Sequence, residues 1–544
     1  MEVRNAAKEV GSFYMCPGLD LLTTCGEGPI RGKALKAMGS LLYVVSGDEV
    51  YSVTTNYQAT LLGTIGTSSG PVSMISNGTQ LQIFDGQAAY LVPGGVPLTG
   101  GAIGSAGADY IVGDVIYLLP SDGAQTATAY LNVTTVNGTG GVTGFTVAAS
   151  GAFSSPPTGF SQQSTSGAGS GFMLASPTYG ANNGVYTVPL PFSGPVSGSY
   201  QEGFGVVNES GTDKWWQSNL FDLSVYQPLN FSSADGLQDN IVAIHEVHLE
   251  QWLFKQTNIE VWINAGQPNF AFQRLAGVFI EFGCVAPFSV SKAGERLIWL
   301  SQSAQGEGQV MMSNGYQPVR ISTHAIEHSF ASYSTMADAI GFTYQQEGHT
   351  FYVITFPTGN ETWVYDVTES QAAGMPMWHQ RAAFSNGQFS RHWANAQVFF
   401  NSQTVVGDYR NGNLYAFNLN TLTDNGATRK WLRTWRAFPK PVDEPVRFNS
   451  LIVDAQSGIG VTPVGSNPQV MLRWSDDGGY TWSNIRTSSV GMTGQTAARI
   501  LFTRMGSTRS FTGLDRVFEL SSTDQFAVAL VGARIDVDGQ SVQR

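Results

Sequence analysis

A chain of 544 residues, 42% hydrophobic and only 12% charged, has enough apolar surface for a large core and several domains, which excludes a disordered chain. Its formal net charge of −12, with a pI near 5.0, excludes a generally basic nucleic-acid-binding surface. The basic residues are also uneven: none occurs between Lys36 and Lys214, so that stretch cannot neutralise phosphates with Lys or Arg.

The opening "MEVRNAAKEVGSFYMCPG" lacks the apolar core of a signal peptide, and nowhere do about eighteen apolar residues run together. The expectation is a soluble protein without stable membrane insertion. Cys16, Cys25 and Cys284 are too few and too scattered for a disulfide framework, and none forms a CxxC pair, so reduced, partly buried thiols are expected.

Along the chain, turn residues recur between short apolar and aromatic runs, and sustained helical periodicity is almost absent, which predicts an all-β fold. A loose unit repeats in "LLYVVSGDEVYSV", "LQIFDGQAAYLV", "LFKQTNIEVWI", "FYVITFPTGNETWVYDV" and "VVGDYRNGNLYAFNL": a strand, a turn, then a strand with an aromatic. Tyr51 and Tyr90, then Tyr365 and Tyr415, are separated by about the 40 to 50 residues of a propeller blade. The expectation is a β-propeller-like core of six or seven blades, beginning in residues 1–100 and resuming in 178–428. Between them, residues 101–177 are rich in Gly, Ser, Thr and Ala but keep strand signals in "YIVGDVIYLL", "AYLNVTTV" and "VTGFTVAAS". They read as an inserted small β-domain with a flexible exit at "SQQSTSGAGSG". Residues 429–544 regain strong alternation and read as a C-terminal β-sandwich-like domain.

Four stretches carry candidate chemistry. In "HAIEH", His324, Glu327 and His328 match the H-x-x-E-H spacing that puts two imidazoles on one helix face with a carboxylate base. Ser322 or Thr323 could cap such a helix, but the following residues read as strand and offer no clear third ligand, so a chance match without metal is expected. In "HEVH", His245 and His248 lie in a strand-like run, where positions three apart point to opposite faces. No phosphate loop, nucleotide fingerprint or nucleophile elbow is present, and no cofactor is expected. "RKWLRTWRAFPK" interleaves Arg429, Lys430, Arg433, Arg436 and Lys440 with Trp431, Trp435 and Phe438. As a strand it sets Trp431, Arg433 and Trp435 on one face, either as Arg stems covering aromatics or as a DNA or subunit contact. Finally, Ser475, Asp477, Gly479, Thr481 and Trp482 in "RWSDDGGYTW" resemble the Asp-box of sialidases and other β-propellers, which caps a hairpin away from the catalytic pocket. Asp477 can accept backbone bonds, Gly479 can take positive φ, and Trp482 can bury its ring beneath the hairpin, so a structural turn is expected.

Several segments in the same order resemble the packaged-DNA stabilization proteins, the tail hub or nozzle family of short-tailed bacteriophages. They include "PLNFSSADGLQDNIVAI", "LEQWLFKQTNIEVW", "ISTHAIEHSFASYSTMADAIGFTYQQEGHTFYVITFPTGNETWVYD", "MWHQR", "VVGDYRNGNLYAFNLNTLTDNG", "RWSDDGGYTWSNIR" and "RILFTRMGSTRSFTGLDRVFEL". The likeness runs from about Tyr200 to the C-terminus and, more faintly, through "CPGLDLLTTCGEGPIRGKALKAMGSLLYVVSGDEVYSV"; the insert departs from it. The resemblance implies a non-enzymatic virion protein, made in the host cytoplasm, that extends the tail tube below the portal and adaptor. It implies a homo-oligomer, typically a hexamer, bearing tail fibres or spikes and a tip or plug protein, with packaged double-stranded DNA in its lumen. The alternatives are a carbohydrate-binding tail adhesin, suggested by the insert, and a sialidase-like glycosidase. The latter would need paired carboxylates about 5 to 10 Å apart in a central pocket, and none can be placed there from the sequence.

Overall fold

The five repeated units each fold as a hairpin of the second and third strands of a propeller blade, because alternating apolar residues on both sides of a tight turn can bury one face only by pairing. The computed structural model describes residues 13–122, 125–153, 155–180, 184–303, 306, 308–437, 446–458, 463, 465–508, 516–527 and 529–538. Seven antiparallel sheets follow one another around a ring, resolving the choice between six and seven blades. Blade 1 comprises Ile30–Met38, Leu41–Ser46, Glu49–Val53 and Ala59–Thr64. Blade 2 comprises Ser73–Ser76, Leu81–Phe84, Ala89–Val92 and, after the insert, Tyr186–Val188. Blades 3, 4 and 5 begin with Pro195–Gln201, Ile241–Val247 and Ser291–Ala293, and blade 6, which has five strands, with Ile340–Gln346. Blade 7 comprises Ala394–Phe400, Gln403–Asp408, Asn413–Asn418 and the N-terminal strand Gly18–Thr24, whose antiparallel pairing with Asn413–Asn418 closes the ring.

Tyr51, Tyr90, Tyr365 and Tyr415 all occupy the third strand of their blades. The core is a series of wedges between neighbouring blades: Phe84 and Trp216 join blades 2 and 3, Trp215 and Leu253 join 3 and 4, Phe254 and Trp299 join 4 and 5, and Tyr344 and Tyr415 join 6 and 7. The first strands of successive blades lie innermost and line the axis.

The insert is a six-stranded sheet bounded by Leu98 and Tyr179, which pair with each other, so the chain enters and leaves at one point. Its own core includes Leu118, Leu131, Phe153, Phe160 and Phe172. The expected flexible exit is instead a hairpin of Gly159–Thr165 and Ser170–Tyr179. Buried Phe160 and Phe172 anchor it, and Gln162 accepts from Tyr110 Oη at 2.6 Å and donates to Gly169 O at 2.9 Å. Local composition missed these anchors because they act across the sheet.

The C-terminal region is a sandwich of two four-stranded sheets around Phe448, Leu451, Val470, Leu472, Phe518 and Leu520. One sheet takes in Phe13–Tyr14 beside Ala529–Asp538, so the N-terminal segment starts in the sandwich and crosses to blade 7 at Gly18 rather than opening the propeller directly. Among the described residues no helix is long and apolar enough to cross a membrane.

Candidate functional site

The innermost strand of blade 1 carries an unusual lysine at the propeller axis. At Lys33 the backbone turns left-handed, with φ 60°, and the Nζ donates to Val290 O at 2.7 Å, just before the first strand of blade 5. Next to it, a Cβ on Gly32 would come within 2.7 Å of Ile340 Cδ1 in blade 6, so a larger residue there would have to displace that side chain. In blade 4, burial first, then the charges of Lys33 and Lys292, push His245 down to about 3. Blades 4 and 5 lie opposite blade 1 in a ring of seven, so Lys33 reaches across the axis and occupies it. His248 of the same "HEVH" run points elsewhere, exposed in the turn 3.9 Å from Glu295.

Burial also pushes Lys33 down from 10.5 to about 7, which makes stability depend on pH. Between these values the unfolded chain holds a proton that the folded chain lacks, so stability should rise with pH over this window, by at most about 5 kcal/mol. Below about 7 both states carry the proton and the slope ends. Urea unfolding at pH values across the window should show this rise in the wild type and a smaller rise in Lys33→Met, since Lys36 is also lowered by burial; identical profiles would refute the assignment.

The Asp-box residues form the turn between Gln469–Ser475 and Arg486–Ser489. Ser475 Oγ donates to Asp477 Oδ1 at 2.7 Å and accepts from the Gly479 N–H at 2.8 Å. Asp477 also accepts from the Thr481 N–H, at 2.8 and 3.0 Å, and from the Thr481 hydroxyl, while Gly479 has φ 103°. The Thr481 hydroxyl, the Thr481 N–H and Ser475 together lower Asp477 to about 2. Its contribution to stability is therefore present above the ordinary 3.8 and lost as pH falls through about 2. Asp477→Ala should lower the melting temperature at neutral pH and narrow the gap to wild type toward pH 2, without effect on glycoside hydrolysis; thermal melts over that range and a glycoside panel check both parts.

Trp482 departs from expectation. It is half-buried rather than sealed beneath the hairpin, and the Arg473 guanidinium lies 4.5 Å from its ring centroid. Arg473 is held there by two bonds of 2.7 Å to Glu519, so the ring is covered by a cation and not by the core. Of the two tryptophans in "RWSDDGGYTW", the one that packs against the sandwich core is Trp474. Asp476, which the motif reading passed over, pairs with Arg516 through bonds of 2.7 and 2.8 Å, and Arg516 is only 1% exposed. The Asp-Asp doublet was its only sequence signal.

"HAIEH" does form a helix, His324–Ala331, which docks through Ile326 and Phe330. Buried Glu327 accepts from Arg320 Nε at 2.7 Å, from Arg320 Nη2 and from Ser322 Oγ, so Ser322 serves the carboxylate rather than a cap. His324 and His328 are exposed. Among the described residues no group of three or more His, Cys, Asp or Glu could hold a metal.

Trp431–Arg436 is an edge strand of the sandwich, with Trp431, Arg433 and Trp435 half-buried on one face and Leu432, Thr434 and Arg436 exposed on the other. Trp431 packs at 6.4 Å from Phe526, and Trp435 at 5.7 Å from Phe518, so both rings serve the core. Arg429 donates to Cys16 O at 2.9 Å and lies 3.4 Å from Asp424, while Lys430 sits 5.5 and 5.6 Å from the rings of Phe384 and Phe389. Phe438 and Lys440 lie outside the described residues.

A closed seven-bladed propeller with an appended β-sandwich defines a propeller–sandwich scaffold protein. Two family models match it: the β-propeller of bacteriophage P22 Gp10 over residues 162–422 and the β-sandwich of the same protein over residues 435–538, together about two thirds of the chain. The chain belongs to this family of packaged-DNA stabilization proteins and is a structural protein of a phage tail. No curated protein matches it. The chain is also similar, at low identity, to solved structures. The WD40 propeller of Doa1 has 10% identity and a TM-score of 0.35, with 74% of this chain and 97% of that one covered. The Neurospora crassa Pan2 WD40 domain has 6% identity and a TM-score of 0.37, with 74% and 96% covered. The designed Ika8 protein has 10% identity and a TM-score of 0.34, with 73% and 99% covered.

Proposed function

We propose that copies of this chain, six in number as the family resemblance implies, form a ring below the portal and adaptor that extends the tail tube, retains packaged DNA and bounds the ejection conduit. The carrying observation is the closed axis: Lys33 bonds to Val290 O across the propeller, so a duplex cannot thread a single chain. Passage must run between copies. Fibres or spikes would attach outside and a plug protein at the tip, and the chain itself performs no catalysis. An acidic ring suits a conduit through which DNA slides, since few basic side chains would hold phosphates. Six copies carry six times the −12 net charge, so assembly should strengthen as salt screens that repulsion.

Electron cryo-microscopy of the assembled ring should show a lumen bounded by several chains, with each propeller axis closed. A ring whose only passage lay through individual propellers would overturn the reading. Fluorescence titration of the ring with duplex DNA should show weak binding at physiological salt. Tight binding that weakens steeply with salt and is lost in an Arg433→Ala/Arg436→Ala variant would replace the passive conduit with a clamp.

A further inference from the structure

The outer face of the insert and one turn of blade 3 enclose a cleft of about 370 Å³, within the roughly 300 to 1,000 Å³ of small-molecule sites. Strand register builds its floor. Ser164, Tyr117, Tyr130 and Ala149 pair across four neighbouring strands of the insert and therefore stand on one face. Tyr130 and Ala149 pack on Val225 of blade 3, which fixes the insert against the propeller. Beside this row the pairing slips between Tyr117 and Leu118, so Gln163 opposes no residue and joins Ser164 in lining the cleft.

The opposite wall is the turn between Lys214–Asn219 and Asp222–Ser233, which contributes Asn219 and Asp222. Asp222 is held in place by the protein itself: its Oδ1 accepts from Gln80 Nε2 of blade 2 at 3.2 Å, from the Ser224 N–H at 2.9 Å and from Ser224 Oγ at 2.6 Å. Among the described residues nothing donates to its Oδ2, and the side-chain amides of Asn219 and Gln163 have no partner. Tyr130 is only 7% exposed, and its ring lies 5.2 Å from that of Tyr117 at a tilt of 47°. Its hydroxyl also bonds to none of the described residues, although a tyrosine buried so deeply ordinarily finds a partner within the protein. Burial, then the Asp222 carboxylate and Tyr117, push that hydroxyl up from its ordinary value, so it stays a neutral donor.

We propose that this cleft is a binding site for an uncharged carbohydrate, which bridges the insert and blade 3. The two tyrosine rings offer apolar surface to the C–H face of a sugar ring. Around them the Tyr130 hydroxyl can donate to the sugar's oxygens, Asp222 Oδ2 can accept from its hydroxyls, and the amides of Asn219 and Gln163 can do both. Among the described residues no Lys, Arg or His lines the cleft, and Asp222 repels a sulfated, phosphorylated or carboxylated sugar. The site adds a recognition role to the ring proposed above and does not depend on it.

Saturation-transfer difference NMR of the full chain tests the proposal, with maltohexaose, mannotetraose, galactotetraose and N-acetylchitotetraose as neutral probes and a heparin hexasaccharide as the anionic one. At least one neutral saccharide should respond while the heparin hexasaccharide stays silent. Titration of that saccharide should give a dissociation constant raised about threefold to tenfold by Tyr130→Phe, which keeps the buried ring and removes only its hydroxyl. Gln163→Ala, on the exposed bulge, should weaken binding by a similar factor, and both variants should melt at the wild-type temperature. Silence from every neutral saccharide, a response from heparin alone, or neutral binding that both variants leave unchanged would each overturn the proposal.

Discussion

Glu260→Gln is expected to destabilise the propeller by about 3 to 5 kcal/mol, because it leaves a buried ammonium without its counter-ion. Lys255 Nζ lies 3.2 Å from Glu260 Oε1, and both side chains are wholly buried in blade 4. The ammonium also donates to Ala234 O at 2.7 Å and to Leu237 O, while the carboxylate accepts from Gly236 N–H at 3.0 Å and Trp262 Nε1 at 3.3 Å. The pair thus pins the 234–239 loop against its blade, and Gln keeps the shape while removing the charge. Lys255→Met should cost a similar amount by stranding the carboxylate. The double variant Lys255→Met/Glu260→Leu should recover much of the loss, since two apolar side chains avoid the desolvation of two ions. Chemical denaturation of the four proteins measures the coupling. Additive single effects, with no recovery in the double variant, would contradict it.

Truncation of the chain through Thr24 should open the ring and produce the other large effect. The strand Gly18–Thr24 supplies the last edge of blade 7, and Leu19, 1% exposed, packs with Phe342, Val353 and Tyr415 between blades 6 and 7. Asp20 accepts from Asn418 Nδ2 and Thr421 Oγ1, each at 2.7 Å. Without the strand, Asn413–Asn418 becomes an unpaired edge open to other chains, and the sandwich loses Phe13–Tyr14. Leu19→Ala alone should cost about 2 to 5 kcal/mol, and the truncation more, with light scattering reporting edge-to-edge association. A truncated protein that associated no further than the wild type and melted at the wild-type temperature would show that closure by this strand is dispensable.

Much of the architecture was legible in the residues. Period-two alternation broken by Gly, Asn and Asp pointed to the hairpins of blades 1, 2, 4, 6 and 7, and the recurring tyrosines marked the third strands of blades 1, 2, 6 and 7. The Asp477 turn was legible too, because its bonds span at most four residues. The seams were not. Blade 2 completes itself with Tyr186–Val188 after the whole insert, and blade 7 takes its last strand from the N-terminus, so neither looks like a four-strand repeat in linear order. Which of two like residues in the motif serves the core was equally hidden: Trp474 rather than Trp482, and Asp476 beside Asp477, are distinguished by Arg516 and Arg473, whose positions depend on sheet pairing.

The sequence by itself therefore determined what depends on composition and on neighbours a few residues apart: the acidic balance, the all-β class, and the strand pairs and turns. Tertiary structure alone decided the seven-fold closure, the blocked axis and the contact of Arg429 with the N-terminal segment. Those features join Lys33 to Val290 and Cys16 to Arg429, pairs 257 and 413 residues apart. Local propensity carries no information about such pairs; burial and the need to satisfy each buried charge select them only once the ring has closed.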